Sequence, residues 1–125
     1  MQVRKLLPCE DVGLMVERLE KIWLTLGPEH GEVALSAAME DLAVLLCECN
    51  DAWTEGDPAR LRLHALGLQG VAKRLGMQLL VRVAGDVIAL CCMCDVAALA
   101  ATVARLQRVG EQSLVAIWDA QVPAG

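Results

Sequence analysis

The chain has 125 residues, 56% of them hydrophobic and 22% charged, which fits one globular domain and excludes the disordered class. Eleven basic against sixteen acidic side chains leave a formal net charge of −5, which disfavours nucleic-acid binding, since a polyanion is held by concentrated positive charge. Mean hydropathy is high at +0.46, yet charges interrupt every apolar run short of the ~20 residues that span a membrane; even Val87 to Cys94 is closed by Asp86 and Asp95.

In chain order, residues 1–10 read as an N-terminal tail, in which Arg4 and Lys5 precede only Leu6, Leu7 and Pro8. That apolar run is too short for a secretory signal, so a soluble, cytoplasmic protein is expected, with no membrane partner. Cys9, in the tail, is the thiol expected to be exposed. Prolines occur only at 8, 28, 58 and 123, and phenylalanine and tyrosine are absent, which argues against strands. Pro28 follows Gly27 and Pro58 follows Asp57, so each marks a place where a helix can begin. Gly76 and the Cys94-Asp95 step supply two further breaks.

The expectation is an all-α, up-down four-helix bundle with an additional N-terminal helix. Its helices fall at 11–26, 29–54, 58–75, 77–93 and 95–120, in a single domain over 1–125 that ends in a tail at 121–125. Within 29–54, Val33, Ala37, Leu42, Leu45, Leu46, Cys49 and Trp53 recur at helical steps and are predicted to form one buried stripe. Within 95–120, Leu99, Val103, Leu106, Val109, Leu114 and Ile117 do the same, with Arg105, Arg108 and Glu111 on the wet side. Met15, Met39, Met77 and Met93 are expected to fill core gaps. Trp23, Trp53 and Trp118 are expected to anchor the core, with Trp118 the most exposed of them.

The six cysteines lack the paired Cys-x-x-Cys spacing of a zinc site. On helices, Cys47 and Cys49, two residues apart, diverge by ~200° and cannot chelate together. Cysteines 47, 49, 91, 92 and 94 are therefore read as small core hydrophobes, without disulfide, metal or cofactor. Glu17, Glu20, Lys21, Glu40 and Asp41 read as solvated helix faces, Ser36 and Ser113 as helix serines without a nucleophile motif, and His30 as a first-turn residue.

The helix over 58–75 carries the argument about function. At ~100° per residue, Ala65, Leu68, Ala72 and Leu75 all fall within about 40° of Leu61 and form with it a buried seam. Leu66 lies about 140° away, on a face with Arg62, Gln69, Gly70 and Lys73, and is predicted to be exposed. The glycine on that face lets another surface approach the backbone.

The stretch from Gly56 to Gly76, GDPARLRLHALGLQGVAKRLG, resembles the histidine-containing phosphotransfer (HPt) domain of bacterial phosphorelays. In that family a Gly-Asp turn opens a helix and the phospho-accepting histidine follows, in the pattern His-x-Leu-Lys-Gly-Ser/Ala-Ala-x-x-Leu/Ile-Gly. The turn at Asp57, then Leu68, Gly70, Ala72, Leu75 and Gly76, match in register, and the helices before and after extend the resemblance over roughly 11–118. The acceptor slot holds Leu66 and the lysine slot Gln69. Leucine has no nucleophile and glutamine no charge, so phosphotransfer at this slot is excluded. The resemblance implies a degenerate HPt-like signalling module that docks a response-regulator receiver domain or a histidine kinase through Arg62, Leu66, Gln69, Gly70 and Lys73 without carrying phosphate.

Two alternatives stand beside it. In one, His64 serves as an atypical acceptor in an active phosphocarrier; it lies ~200° from the Leu66 direction, near the seam, and reads first as a partly buried flanking histidine. In the other, the chain is a small helical assembly or chaperone-type protein that buries its apolar excess in a homodimer.

Overall fold

A computed structural model describes residues 16–121 and the side chains of residues 31–119. The chain forms four helices, α1 (Val16–Thr54), α2 (Pro58–Arg74), α3 (Gln78–Leu90) and α4 (Val96–Gln121). Successive helices touch, α4 returns to α1, and no diagonal pair meets among the described residues, so the four form a ring around one core.

The break expected at Gly27-Pro28 is absent, and the helices predicted over 11–26 and 29–54 are one helix from Val16. The additional N-terminal helix is therefore not a separate element among the described residues. Proline removes one N–H from the ladder, but a helix keeps its other rungs. Gly27 also lacks the Cβ that normally forces the residue before a proline out of helical geometry. Cys9, Met15, Trp23 and His30 lie outside the described side chains.

The first two turns use one device. After α1, Gly56 takes φ of 69°, its N–H reaches the Trp53 carbonyl at 3.0 Å, and the Asp57 N–H reaches that of Ala52 at 3.0 Å. After α2, Gly76 takes φ of 74°, with the Gly76 and Met77 N–H groups on the carbonyls of Lys73 and Ala72 at 3.2 and 2.9 Å. This is the Schellman arrangement, and its left-handed residue favours glycine. Asp57 then starts α2 by accepting from the Arg60 N–H at 3.1 Å, ahead of Pro58 in the first turn. Asp95 does the same for α4, accepting from the Ala98 N–H at 3.0 Å.

All five predicted seam residues of α2 are buried, and they belong to one core cluster with Leu80, Val83 and Val87 of α3 and Val103, Leu106 and Val109 of α4. The stripe predicted on α1 needs correction. Leu42, Leu46 and Cys49 are buried and Leu45 and Trp53 half-buried, but Val33 is 69% exposed and Ala37 is exposed. The buried line runs instead through Leu35, Leu42, Leu46, Cys49 and Ala52. Val33 and Ala37 belong to the opposite side, because at ~100° per residue they lie about 180° and about 140° from Leu42 around the helix. On α4, Leu114 is half-buried while Ser113 is fully buried, with no partner for its hydroxyl. Arg105 and Arg108, expected on the wet side, are half-buried, and Glu111 is exposed.

Core packing of the cysteines holds for Cys49 and in part for Cys91, which packs against the core's edge, and fails for the other three described thiols. Cys91 is half-buried, and Cys47, Cys92 and Cys94 are exposed; all five described thiols are free. Cys47 is turned ~200° from Cys49 on the same helix. Cys92 and Cys94 fall beyond the end of α3, in the turn to α4, where the core face has run out. Met77 is buried and Met39 half-buried, but Met93, in the same turn, is 61% exposed rather than core. Trp118 is 60% exposed.

At Gly110 α4 lies directly against α1. A Cβ there would stand 2.5 Å from the Leu46 side chain, and the neighbouring Gln107 Nε2 donates to the Leu46 carbonyl at 2.9 Å.

Candidate functional site

The outward face of α2 is the candidate. Leu66 is 41% exposed, Arg62, Gly70 and Lys73 are exposed, and a Cβ added at Gly70 would meet nothing within 4 Å. The structure thus brings Arg62, Leu66, Gly70 and Lys73 to one open face, as the helical wheel requires.

Gln69 departs from that expectation. It is half-buried, and its Nε2 donates to the Val81 carbonyl of α3 at 3.1 Å while lying over Gly85, where a Cβ would come within 3.2 Å of it. Gln69 is therefore a strut between α2 and α3. The wheel places it at the edge of the exposed arc, but the position of α3 decides that its amide turns inward.

Leu63 was not singled out by the sequence, yet it is 65% exposed, more than Leu66. It stands ~200° from the seam. Its angle was the available signal, and it widens the apolar part of the face.

His64 faces α1. Its Nδ1 lies 2.8 Å from Glu48 Oε2, and only 20% of its side chain is exposed. It is a flanking residue that ties α2 to α1, on the same side as Gly67, where a Cβ would come within 3.3 Å of Leu45. Arg60 pairs with Glu55 across the α1–α2 turn.

Burial pushes the Cys49 thiol up to about 12, with the Glu48 carboxylate and Cys91 adding to the effect. The Cys91 thiol is also raised, chiefly by burial and then by Cys92, while the Arg62 cation works against the rise. Neither thiol is arranged as a nucleophile.

At the end of the bundle, a cavity of about 300 Å³ opens between the α1–α2 and α3–α4 turns, walled by Trp53, Pro58, Leu61, Met93, Val96 and Leu99. The two carboxylates at its edge, Asp57 and Asp95, are already engaged as helix caps.

Among the described residues no cluster of three or more His, Cys, Asp or Glu is placed to hold a metal ion, and no helix is long and apolar enough to cross a membrane. Compared with models of protein families, with curated proteins and with solved structures, the chain finds no match.

Proposed function

We propose that this chain is a docking module of phosphorelay type, an HPt-like scaffold that binds a receiver domain or a histidine kinase through the outer face of α2 and carries no phosphate. One observation carries the reading. The residue in the acceptor register, Leu66, is exposed on the helix while the five seam residues in the same register are all buried. A side chain so placed is where the acceptor would have to stand to be reached, and here it is leucine.

The chemistry of the face agrees with binding rather than transfer. An apolar side chain among cations buries area on docking, and covering a leucine contributes about 1.5–3 kcal/mol. His64 gives weaker support to a phosphocarrier, since its Nδ1 is held against Glu48 on the α1 side of the helix.

The test uses phosphorylated and unphosphorylated receiver domains and histidine kinases encoded in the same genome. The wild-type protein is expected to bind one of them without taking up acid-labile label, and His64→Ala to change neither result. Leu66→Asp should weaken binding about 10- to 100-fold, the equivalent of the lost burial. Leu66→His should gain weak label acceptance, and should do so better alone than with Gln69→Lys, because that second change removes the strut to Val81. Label on the wild-type chain, or binding indifferent to Leu66→Asp, would sink the reading.

A further inference from the structure

Two exposed seams run along neighbouring helices. On α1, Val33, Ala37, Glu40, Val44, Cys47 and Asp51 follow at alternating four- and three-residue steps, and all six are exposed. On α2 the same rhythm picks out Ala59, Leu63, Leu66, Gly70 and Lys73, again all exposed. This is the spacing with which helices pack side by side, and each seam lies on the side away from the chain's own core.

The seams differ in charge. Between Glu29 and Asp57 the sequence holds eight acidic residues and no lysine or arginine; between Pro58 and Gly85 it holds five basic residues and no acidic one. Glu40, Asp41 and Asp51 on α1 are exposed, as are Arg62, Lys73 and Arg74 on α2.

We propose that a second copy of this chain covers these faces, the α1 seam of one copy packing against the α2 seam of the other. Charge selects this pairing. Placing α1 on α1 would set carboxylates against carboxylates, and α2 on α2 would set cations against cations, whereas α1 on α2 sets opposite charges around an apolar line. Because α1 and α2 are consecutive in the ring, one two-fold axis forms both contacts at once and closes the assembly as a dimer. An unrelated acidic partner would match α2 alone and leave the α1 seam open; a second copy matches both.

The inference does not rest on the docking reading. Where both hold, pairing hides Leu66, and docking must first release the second copy.

The experiment measures mass in solution for the full chain, with no receiver domain present, so its outcome is separate from that of the docking test. At low salt the wild type is expected at twice 13.4 kDa, shifting toward the single mass as added salt screens the seams. Glu40→Lys with Asp51→Lys should give a monomer, and so should Arg62→Glu with Arg74→Glu. All four positions are at the surface, so far-UV circular dichroism should report unchanged helix content. An equimolar mixture of the two variants should form dimers again, because both contacts then regain opposite charges. A wild-type monomer at every concentration, self-association that neither reversal weakens, or a mixture that stays monomeric overturns the proposal.

Discussion

Cys49 couples the folding of the core to pH. Its thiol, raised to about 12 by burial, keeps its proton in the folded chain at pH values where an unfolded thiol, at about 8.5, gives it up. Folding raises the pKa, so the stabilisation is complete below about pH 8.5 and is lost as pH climbs from there toward 12. Between those limits the wild type should lose about 1.4 kcal/mol more stability per pH unit than Cys49→Ala, as read from urea unfolding at stepped pH. Equal slopes would show that the thiol ionises freely in the folded state. At this scale the sequence was informative about angle and silent about neighbours. The wheel alone placed Leu66 outside and Ala65 inside. It could not turn Gln69 inward, because the carbonyl that holds Gln69 belongs to a residue twelve positions away, on α3.

For a helix, the same glycine can be an asset or a defect according to what stands opposite. Gly70 and Gly110 both lie inside helices, and neither has a positive φ. Alanine in place of glycine favours a helix by up to ~1 kcal/mol. At Gly70 the added Cβ meets nothing within the chain, so Gly70→Ala should raise the stability of the monomer, measured at high salt, by that order. At Gly110 it would meet Leu46, itself only 4% exposed and held by the core, at 2.5 Å. Overpacking costs about 1–3 kcal/mol, so Gly110→Ala should lower stability despite the gain in propensity. Thermal unfolding of the two variants should move in opposite directions; a shift upward in both would mean that Leu46 has room to give. The turns at Gly56 and Gly76 were legible because Schellman chemistry is local and both glycines sit just beyond an apolar-periodic stretch. Gly27-Pro28 misled for the same local reason: it carries the marks of a stop, while the continuing helix around it keeps its remaining backbone bonds.

Across the whole molecule, the ring of helices was legible because its connections are short and each apolar face is long. The two-faced character of α1 was not, since one helix carries two apolar lines and periodicity does not say which of them the chain keeps for itself. The ring also has an uneven geometry in time. Three of its four contacts join consecutive helices, while the fourth, α1 with α4, joins segments as remote as Gln107 and Leu46, 61 positions apart. Local pairs close at small entropic cost and remote ones at a larger cost, so the seating of α4 on α1 is expected to follow the barrier to folding rather than precede it. Gly110→Ala should then hasten unfolding and leave the refolding rate nearly unchanged, a φ-value near zero in stopped-flow measurements. Slowed refolding of that variant would mean that the ring closes at the barrier itself. If it closes afterwards, the Gly110–Leu46 approach works as a latch: how long the folded chain persists is set there, and how quickly it forms is set elsewhere.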